Sequence, residues 1–295
     1  MAMKGIRRLA LVLALGGALA PSMAMAGTGA GPGSVRKQIE SSLVVAGDVY
    51  IETDGSVSRL DIDQEEKLPS GVVKLVRDNA LQWKFQPVVR EGHAVKAIAP
   101  MRLRVVAKKL DGDRYEIALR GVSFERYDAK DPQSVAYLKL DAPKYPTDAF
   151  RSNAAGTVYL VVKVGRDGKV EDVVAEQVNL RVIGSEGEMA QFRKLFADSA
   201  ILASKRWTFR VPTEGEAASQ PYWSVRIPVS YSLNRDPSEG QTYGQWISYV
   251  PGPRQVAPWS STSDSANFAP DTLVDGGVYM ADSRTPKLLT PLQGG

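Results

Sequence analysis

Val162-Lys163-Val164-Gly165-Arg166-Asp167-Gly168-Lys169-Val170 has a counterpart earlier in the chain, Val49-Tyr50-Ile51-Glu52-Thr53-Asp54-Gly55-Ser56-Val57. Both stretches alternate apolar residues into Asp-Gly and set a valine two positions beyond the glycine. Alternation at period two is the pattern of a half-buried strand, and Asp-Gly is a strong hairpin signal because glycine tolerates positive φ. Return strands are expected through Leu60 and Ile62 in the first stretch and through Val173 and Val174 in the second. A duplication of this kind constrains the architecture of the whole chain.

Further along each stretch comes a helical pattern. Val72, Val76, Ala80 and Trp83 fall on one helix face, and Phe192, Phe196, Ala200, Ala203 and Trp207 trace the same face later. Ser70, after Pro69, is the expected N-cap of the first helix. Each helix runs out into Trp-x-Phe and a proline, as Trp83-Lys84-Phe85-Gln86-Pro87 and as Trp207-Thr208-Phe209-Arg210-Val211-Pro212. The tryptophans read as core aromatics that pin helix to sheet. A long strand closes each unit, Ala97 to Ala107 and Trp223 to Leu233. The turn glycines lie 113 residues apart and the tryptophans 124, so the second copy carries 11 extra residues, assigned to a surface loop around Gly184-Ser185-Glu186-Gly187-Glu188. The repeated unit is therefore strand, turn, strand, helix, strand: an α+β layer of about three antiparallel strands under one helix.

The ends of the chain read differently. Residues 1–26 have a basic start (Lys4, Arg7, Arg8), an apolar run from Leu9 to Ala20 and Ala24-Met25-Ala26, the pattern of a cleavable export signal. The run is short and broken by Pro21 for a membrane span, so no stable span is expected after processing. Residues 27–38 are a glycine-rich linker. Residues 111–140 read as a connector with one strand-like stretch, Tyr115 to Leu119. Residues 236–295 collect Pro, Ser, Gly and Asp with single scattered aromatics, and are expected to form a low-order, disordered tail.

Charge and composition narrow the function. The chain has 37 basic and 33 acidic residues; removal of the signal leaves 34 to 33, too even for a nucleic-acid binder. Without cysteine, neither a disulfide framework nor a thiolate site is possible. His93 stands alone in a turn, and no Gly-x-Ser-x-Gly elbow accompanies it, so the expectation is no enzyme, no cofactor and no metal. Asp61, Asp63, Glu65 and Glu66 lack EF-hand spacing, since Glu66 stands where glycine is required.

From Ala142 to Leu233 the chain resembles the TonB C-terminal domain. The resemblance rests on Pro143-Lys144-Tyr145-Pro146 followed by a short helix with Ala149, Gly156-Thr157-Val158, Asp167-Gly168-Lys169-Val170, Ala200 and Ala203 before Trp207-x-Phe209, and Ile227-Pro228-Val229-Ser230-Tyr231. Residues 141–235 are accordingly identified as a TonB C-terminal-like domain and residues 39–110, which keep Asp-Gly, Trp83, Phe85 and Gly92 but lack Tyr-Pro, as a degenerate module of the same kind. The resemblance implies a periplasmic protein that binds N-terminal segments of TonB-dependent outer-membrane transporters by strand addition. The accepting edge it implies is the last strand, with Val225, Arg226, Ile227, Val229, Ser230 and Tyr231; Pro228 suits an edge because it removes a donor. The structural motif comprises Tyr145, Pro146, Gly156, Asp167, Gly168, Trp207 and Phe209, with Trp83 and Phe85 in the first module. A second reading is a structural, self-associating envelope protein, homo-oligomeric, that reuses the fold without energy transduction.

Overall fold

The computed structural model describes residues 35, 38–110, 115–233, 243–260, 267–281 and 285–292. Residues 1–26, where an export signal is expected, and nearly all of residues 27–38 lie outside the described residues.

The first Asp-Gly stretch forms a hairpin, β1 (Glu40–Ile51) and β2 (Val57–Ile62). A helix, α1 (Ser70–Ala80), follows, then a short exposed hairpin, β3 (Val89–Arg90) and β4 (His93–Ala94), and a long strand, β5 (Ala97–Lys109). The strand-like stretch of the connector becomes β6 (Tyr115–Ser123). The sheet order is β2-β1-β5-β6, all antiparallel. Along β1 and β5 the odd-numbered residues, among them Leu43, Val45, Val49, Met101 and Leu103, face α1 in one core with Val72, Val76, Trp83 and Phe85.

The connector continues through β7 (Ala136–Lys139) and a short helix, α2 (Thr147–Arg151). The second Asp-Gly stretch joins β8 (Gly156–Gly165) to β9 (Val170–Leu180); then come α3 (Glu186–Ser204), β10 (Thr208–Arg210) and β11 (Tyr222–Tyr231). Here β8 is central, between β9 and β11. The core of this half gathers Val158, Leu160, Val162 and Val164 of β8, Phe196 and Ala200 of α3, and Trp207, Phe209, Val225 and Ile227.

The two turns share one geometry. Gly55 has φ +80° and its carbonyl accepts the Phe85 N–H at 2.8 Å; Gly168 has φ +74° and accepts the Phe209 N–H at 2.8 Å. A Cβ on either glycine would lie 2.0 Å from the Phe85 carbonyl oxygen or 2.2 Å from that of Phe209, so both positive φ and close approach demand glycine. Each Trp-x-Phe segment is thereby stitched to its own hairpin turn.

Three expectations need correction. Ser70 is the first residue of α1, whose N-cap is Pro69 without any side-chain cap. The 11 extra residues of the second half do not sit in a loop: β9 is five residues longer than β2, α3 eight longer than α1, and the loop between strand and helix two shorter. Ser185 instead caps α3, its hydroxyl accepting the Glu188 N–H while the Glu188 carboxylate accepts the Ser185 N–H at 2.7 Å, a reciprocal box that fixes where a long helix begins. The third correction concerns the tail. In its described parts, residues 243–292 carry β12 (Ile247–Tyr249), a 3₁₀ turn at Pro270–Thr272 and β13 (Tyr279–Met280), and they bury Tyr249, Val250, Leu273, Val278, Tyr279 and Leu288. Fully burying such a side chain is worth about 1.5–3 kcal/mol, enough to offset the ordering of a neighbouring residue or two.

The tail lies between the two sheets, against the faces turned away from the helices. From β5, Arg102 donates Nε–H to the Thr272 carbonyl at 2.8 Å, and Arg104 Nε stands 3.0 Å from an Asp271 carboxylate oxygen. From β11, the Ser230 hydroxyl donates to Asp275. Other tail segments fasten each half separately. β12 pairs with Glu40–Ser42 on the outer edge of β1, and Leu288 bridges Phe85.

Candidate functional site

The last strand of the second half carries the residues to which the resemblance assigns peptide binding. β11 pairs with β8 without a register break, from Tyr222 opposite Gly165 to Tyr231 opposite Gly156. On its other side lies β13, with Val225 opposite Met280 and Arg226 opposite Tyr279, and the Ala281 N–H donating to the Ser224 carbonyl at 2.8 Å. That last bond sets the direction of the backbone groups. In an antiparallel strand the N–H and C=O of alternate residues point to the same side, so Ser224, Arg226, Pro228 and Ser230 address the outer edge. Val225, Ile227, Val229 and Tyr231 address β8.

This divides the predicted set of six. Arg226 and Ser230 present their backbone outward. The other four spend their backbone on β8 and their side chains on the core, where Val225 and Ile227 are fully buried. Pro228 belongs to the outer row, so its missing N–H costs the β8 ladder nothing. It also marks where the β13 pairing, which stops at Arg226, has ended. The outer edge is thus a short acceptor, Ser224 to Arg226, followed by a position with no donor. The chain's own residues 279–281 occupy it.

The outer edge of β9 is closed as well. Leu180 and Val250 exchange both backbone hydrogen bonds, at 2.8 and 3.1 Å, and the Gln255 N–H donates to the Glu176 carbonyl at 2.7 Å. Arg193 of α3 reaches the same place, donating to the carbonyls of Val178 and Pro251. Edges left open invite association with other chains, and tail segments cover part of each edge of this sheet.

Between the two covered edges sits a buried ion cluster. Glu176 of β9 accepts from Arg226 Nε at 2.9 Å and from Arg254 Nη2 at 2.6 Å, and the Phe268 ring lies under both guanidiniums, 4.5 and 5.6 Å from their carbons. The Arg226 and Glu176 side chains are 7% and 4% exposed. A buried pair of this kind strongly penalises loss of one partner. Arg254 and Phe268 both come from the tail, so the cluster ties β9, β11 and the tail together.

The residues of the expected structural motif lie at element ends, in the turn and in the core. Pro146 caps α2, Gly156 opens β8, and the Asp167 carboxylate accepts the Lys169 N–H at 3.0 Å across the turn, which holds that carboxyl below its ordinary range. Tyr145 stacks edge-on against Phe196 and Tyr231, at 5.8 and 5.6 Å between ring centres, with its hydroxyl donating to the Ala154 carbonyl. Burial pushes the Tyr231 phenol up to about 12. Trp207 donates its indole N–H to the Asp141 carbonyl at 2.8 Å, and Phe209 is buried beside it. In the first half Trp83 and Phe85 pack edge-on with Phe124, which comes from the connector. His93 lies on the exposed β3–β4 hairpin with Nδ1 2.9 Å from the Glu91 carbonyl. Among the described residues no three His, Cys, Asp or Glu side chains gather as a metal site needs. No described helix is long and apolar enough to cross a membrane.

Sequence reading missed the tail's part in the site. Val250, Gln255, Tyr279 and Ala281 act through backbone hydrogen bonds, which leave no side-chain signature.

A stretch of 102 residues, 34% of this chain, is 32% identical to the Protein TonB of Xanthomonas campestris pv. campestris strain B100 and covers 39% of that protein. A stretch of 101 residues is 31% identical to the Protein tonB2 of Pseudomonas aeruginosa and covers 32% of it. The chain therefore spans about a third to two-fifths of the length of these curated relatives. No family model matches the chain. No solved structure matches it.

Proposed function

We propose that residues 141–235 form a TonB C-terminal-like binding domain of an exported, periplasmic protein, and that its outer β11 edge accepts an extended peptide by strand addition. The proposed partner is the N-terminal segment of a TonB-dependent outer-membrane transporter. The similarity to TonB proteins over about a third of the chain supports the family reading. The observation that carries the site is β13: an antiparallel strand from elsewhere in the chain already lies on Ser224 to Arg226, which is the geometry an incoming peptide would adopt. Binding then consists of exchanging tail residues 279–281 for the peptide. The role is binding, without a chemical step.

The first half is proposed to be a diverged copy of the same module. Its support is the shared turn geometry at Gly55 and Gly168 and the equivalent bridges Ser56 to Lys84 and Lys169 to Thr208. In that half β6 pairs along most of β5, so the strand corresponding to β11 has a nine-residue neighbour in place of a two-residue one. The second half is therefore the accepting one. Calorimetric titration of the full chain with synthetic transporter N-terminal peptides tests this reading. Saturable binding supports it; no binding, together with concentration-dependent self-association, would favour the structural envelope role.

A further inference from the structure

Where the tail crosses between the sheets it leaves a cavity of about 170 Å³, walled by β1 and β5 on one side and by β8 and the end of β9 on the other. Four hydrogen-bond donors line it with capacity unspent. Arg102 uses Nε on the Thr272 carbonyl, and among the described residues no carboxylate lies within ion-pair distance of its guanidinium. The Arg181 guanidinium likewise has neither an ion pair nor a hydrogen bond among the described residues. The Tyr159 side chain is almost wholly enclosed at 7% exposure, yet its hydroxyl meets no described partner. Asn179 spends its carbonyl oxygen on the Gly252 N–H and keeps its amide N–H groups.

The acceptors in the same walls are engaged in part, with Asp271 Oδ1 left without a hydrogen-bond partner. Asp271 faces Arg104 Nε at 3.0 Å and accepts the Tyr249 hydroxyl at 2.6 Å, and Asp275 accepts the Ser230 hydroxyl. Thr157 and Ser230 hydroxyls bond each other at 3.0 Å. Burial without a paired counter-charge pushes the Arg102 guanidinium down from its ordinary value. Burial pushes the Tyr159 phenol well up, so that group stays a neutral donor. Four donors left over at one cavity outnumber the unpartnered Asp271 carboxylate oxygen and match a ligand made chiefly of acceptors. Guanidinium groups also fit planar or tetrahedral oxyanions through paired N–H bonds.

We propose that this inter-sheet cavity is a binding site for a small oxyanion, the carboxylate or phosphate group of a small molecule, held by Arg102, Arg181, Tyr159 and Asn179. The site is independent of the β11 edge. Because its walls include both sheets and the tail residues Asp271 and Asp275, an occupant ties the three together and raises the unfolding temperature by mass action.

The test uses the full chain at constant ionic strength set with chloride, titrated separately with citrate and with inorganic phosphate. Calorimetry and thermal unfolding are the readouts. Saturable binding of either anion, with an unfolding temperature that climbs with its concentration, is expected; the arm that binds identifies the ligand as a carboxylate or a phosphate. Arg102→Gln and Arg181→Gln should each weaken binding by about tenfold. Tyr159→Phe, which removes one hydroxyl and keeps the ring, should weaken it by a few-fold while the chain remains folded. Absence of saturable binding by the wild-type chain to both anions overturns the proposal, and so does binding that all three variants leave unchanged.

Discussion

At the scale of single residues, the chain separates glycines that geometry demands from those that it merely tolerates. Gly168 combines φ +74° with a site where a Cβ would lie 2.2 Å from the Phe209 carbonyl oxygen, whereas a Cβ on Gly187, in the first turn of α3, meets nothing within 4 Å. Gly168→Ala should therefore cost about 2 kcal/mol or more, through strained backbone and a broken stitch between turn and Trp-x-Phe strand. Gly187→Ala should stabilise by roughly 0.5 kcal/mol, because alanine narrows the unfolded ensemble and suits a helix. Urea unfolding of the two variants checks both signs. An unchanged midpoint for Gly168→Ala would mean that the shared turn geometry is not what fixes the hairpin to its third strand. Asp-Gly, the apolar alternation and the Trp-x-Phe pairs are legible in sequence for this reason: each is a local pattern imposed by one steric or packing demand.

At the scale of elements, legibility follows periodicity. The strands β1, β5, β8 and β11 and the buried face of α3 repeat at period two or 3.6, and the sequence shows them. The tail docks through single residues, Val250 here, Leu273 there, Leu288 elsewhere, each on a different surface, so no period exists to be read. β13 is more hidden still, since two residues hold it by backbone bonds. The candidate edge was legible as a strand, but which of its residues face outward was not, because that depends on the Ala281 to Ser224 bond. Ala281→Pro deletes that donor and should loosen β13 alone. Amide exchange at Arg226, whose N–H faces β13, should then quicken by tenfold or more if the segment opens. Exchange at Val225 and Ile227, which face β8, should stay slow. Equal acceleration at all three would mean that β13 supports the whole sheet rather than covering its edge.

At the scale of the whole molecule, two helix-backed sheets are held face to face by a tail that brings its own ions and aromatics. Tyr145, Tyr159, Tyr231, Tyr249 and Tyr279 are all pushed above the ordinary phenol value of 10.0, chiefly by burial. A raised folded-state value means that the folded chain keeps these protons after the unfolded chain has begun to lose them. Their contribution is full below pH 10.0 and is lost as pH rises towards the folded values, about 12 for Tyr231. Stability should be flat with respect to these groups at neutral pH and fall steeply above pH 10.0, with tyrosinate absorbance rising together with unfolding. Tyrosinate formation beyond the share of exposed rings such as Tyr115, preceding the loss of circular dichroism, would contradict enclosure of these rings.

The exchange of a resident strand for an incoming one is tested most directly by amide hydrogen exchange of the full chain with a bound transporter N-terminal peptide. Exchange of tail for peptide predicts continued or stronger protection of Arg226, new protection at Ser230, and faster exchange at Tyr279 and Ala281 as the tail strand leaves. Binding that leaves Tyr279 and Ala281 as slow as in the free chain, with no change along β11, would contradict it.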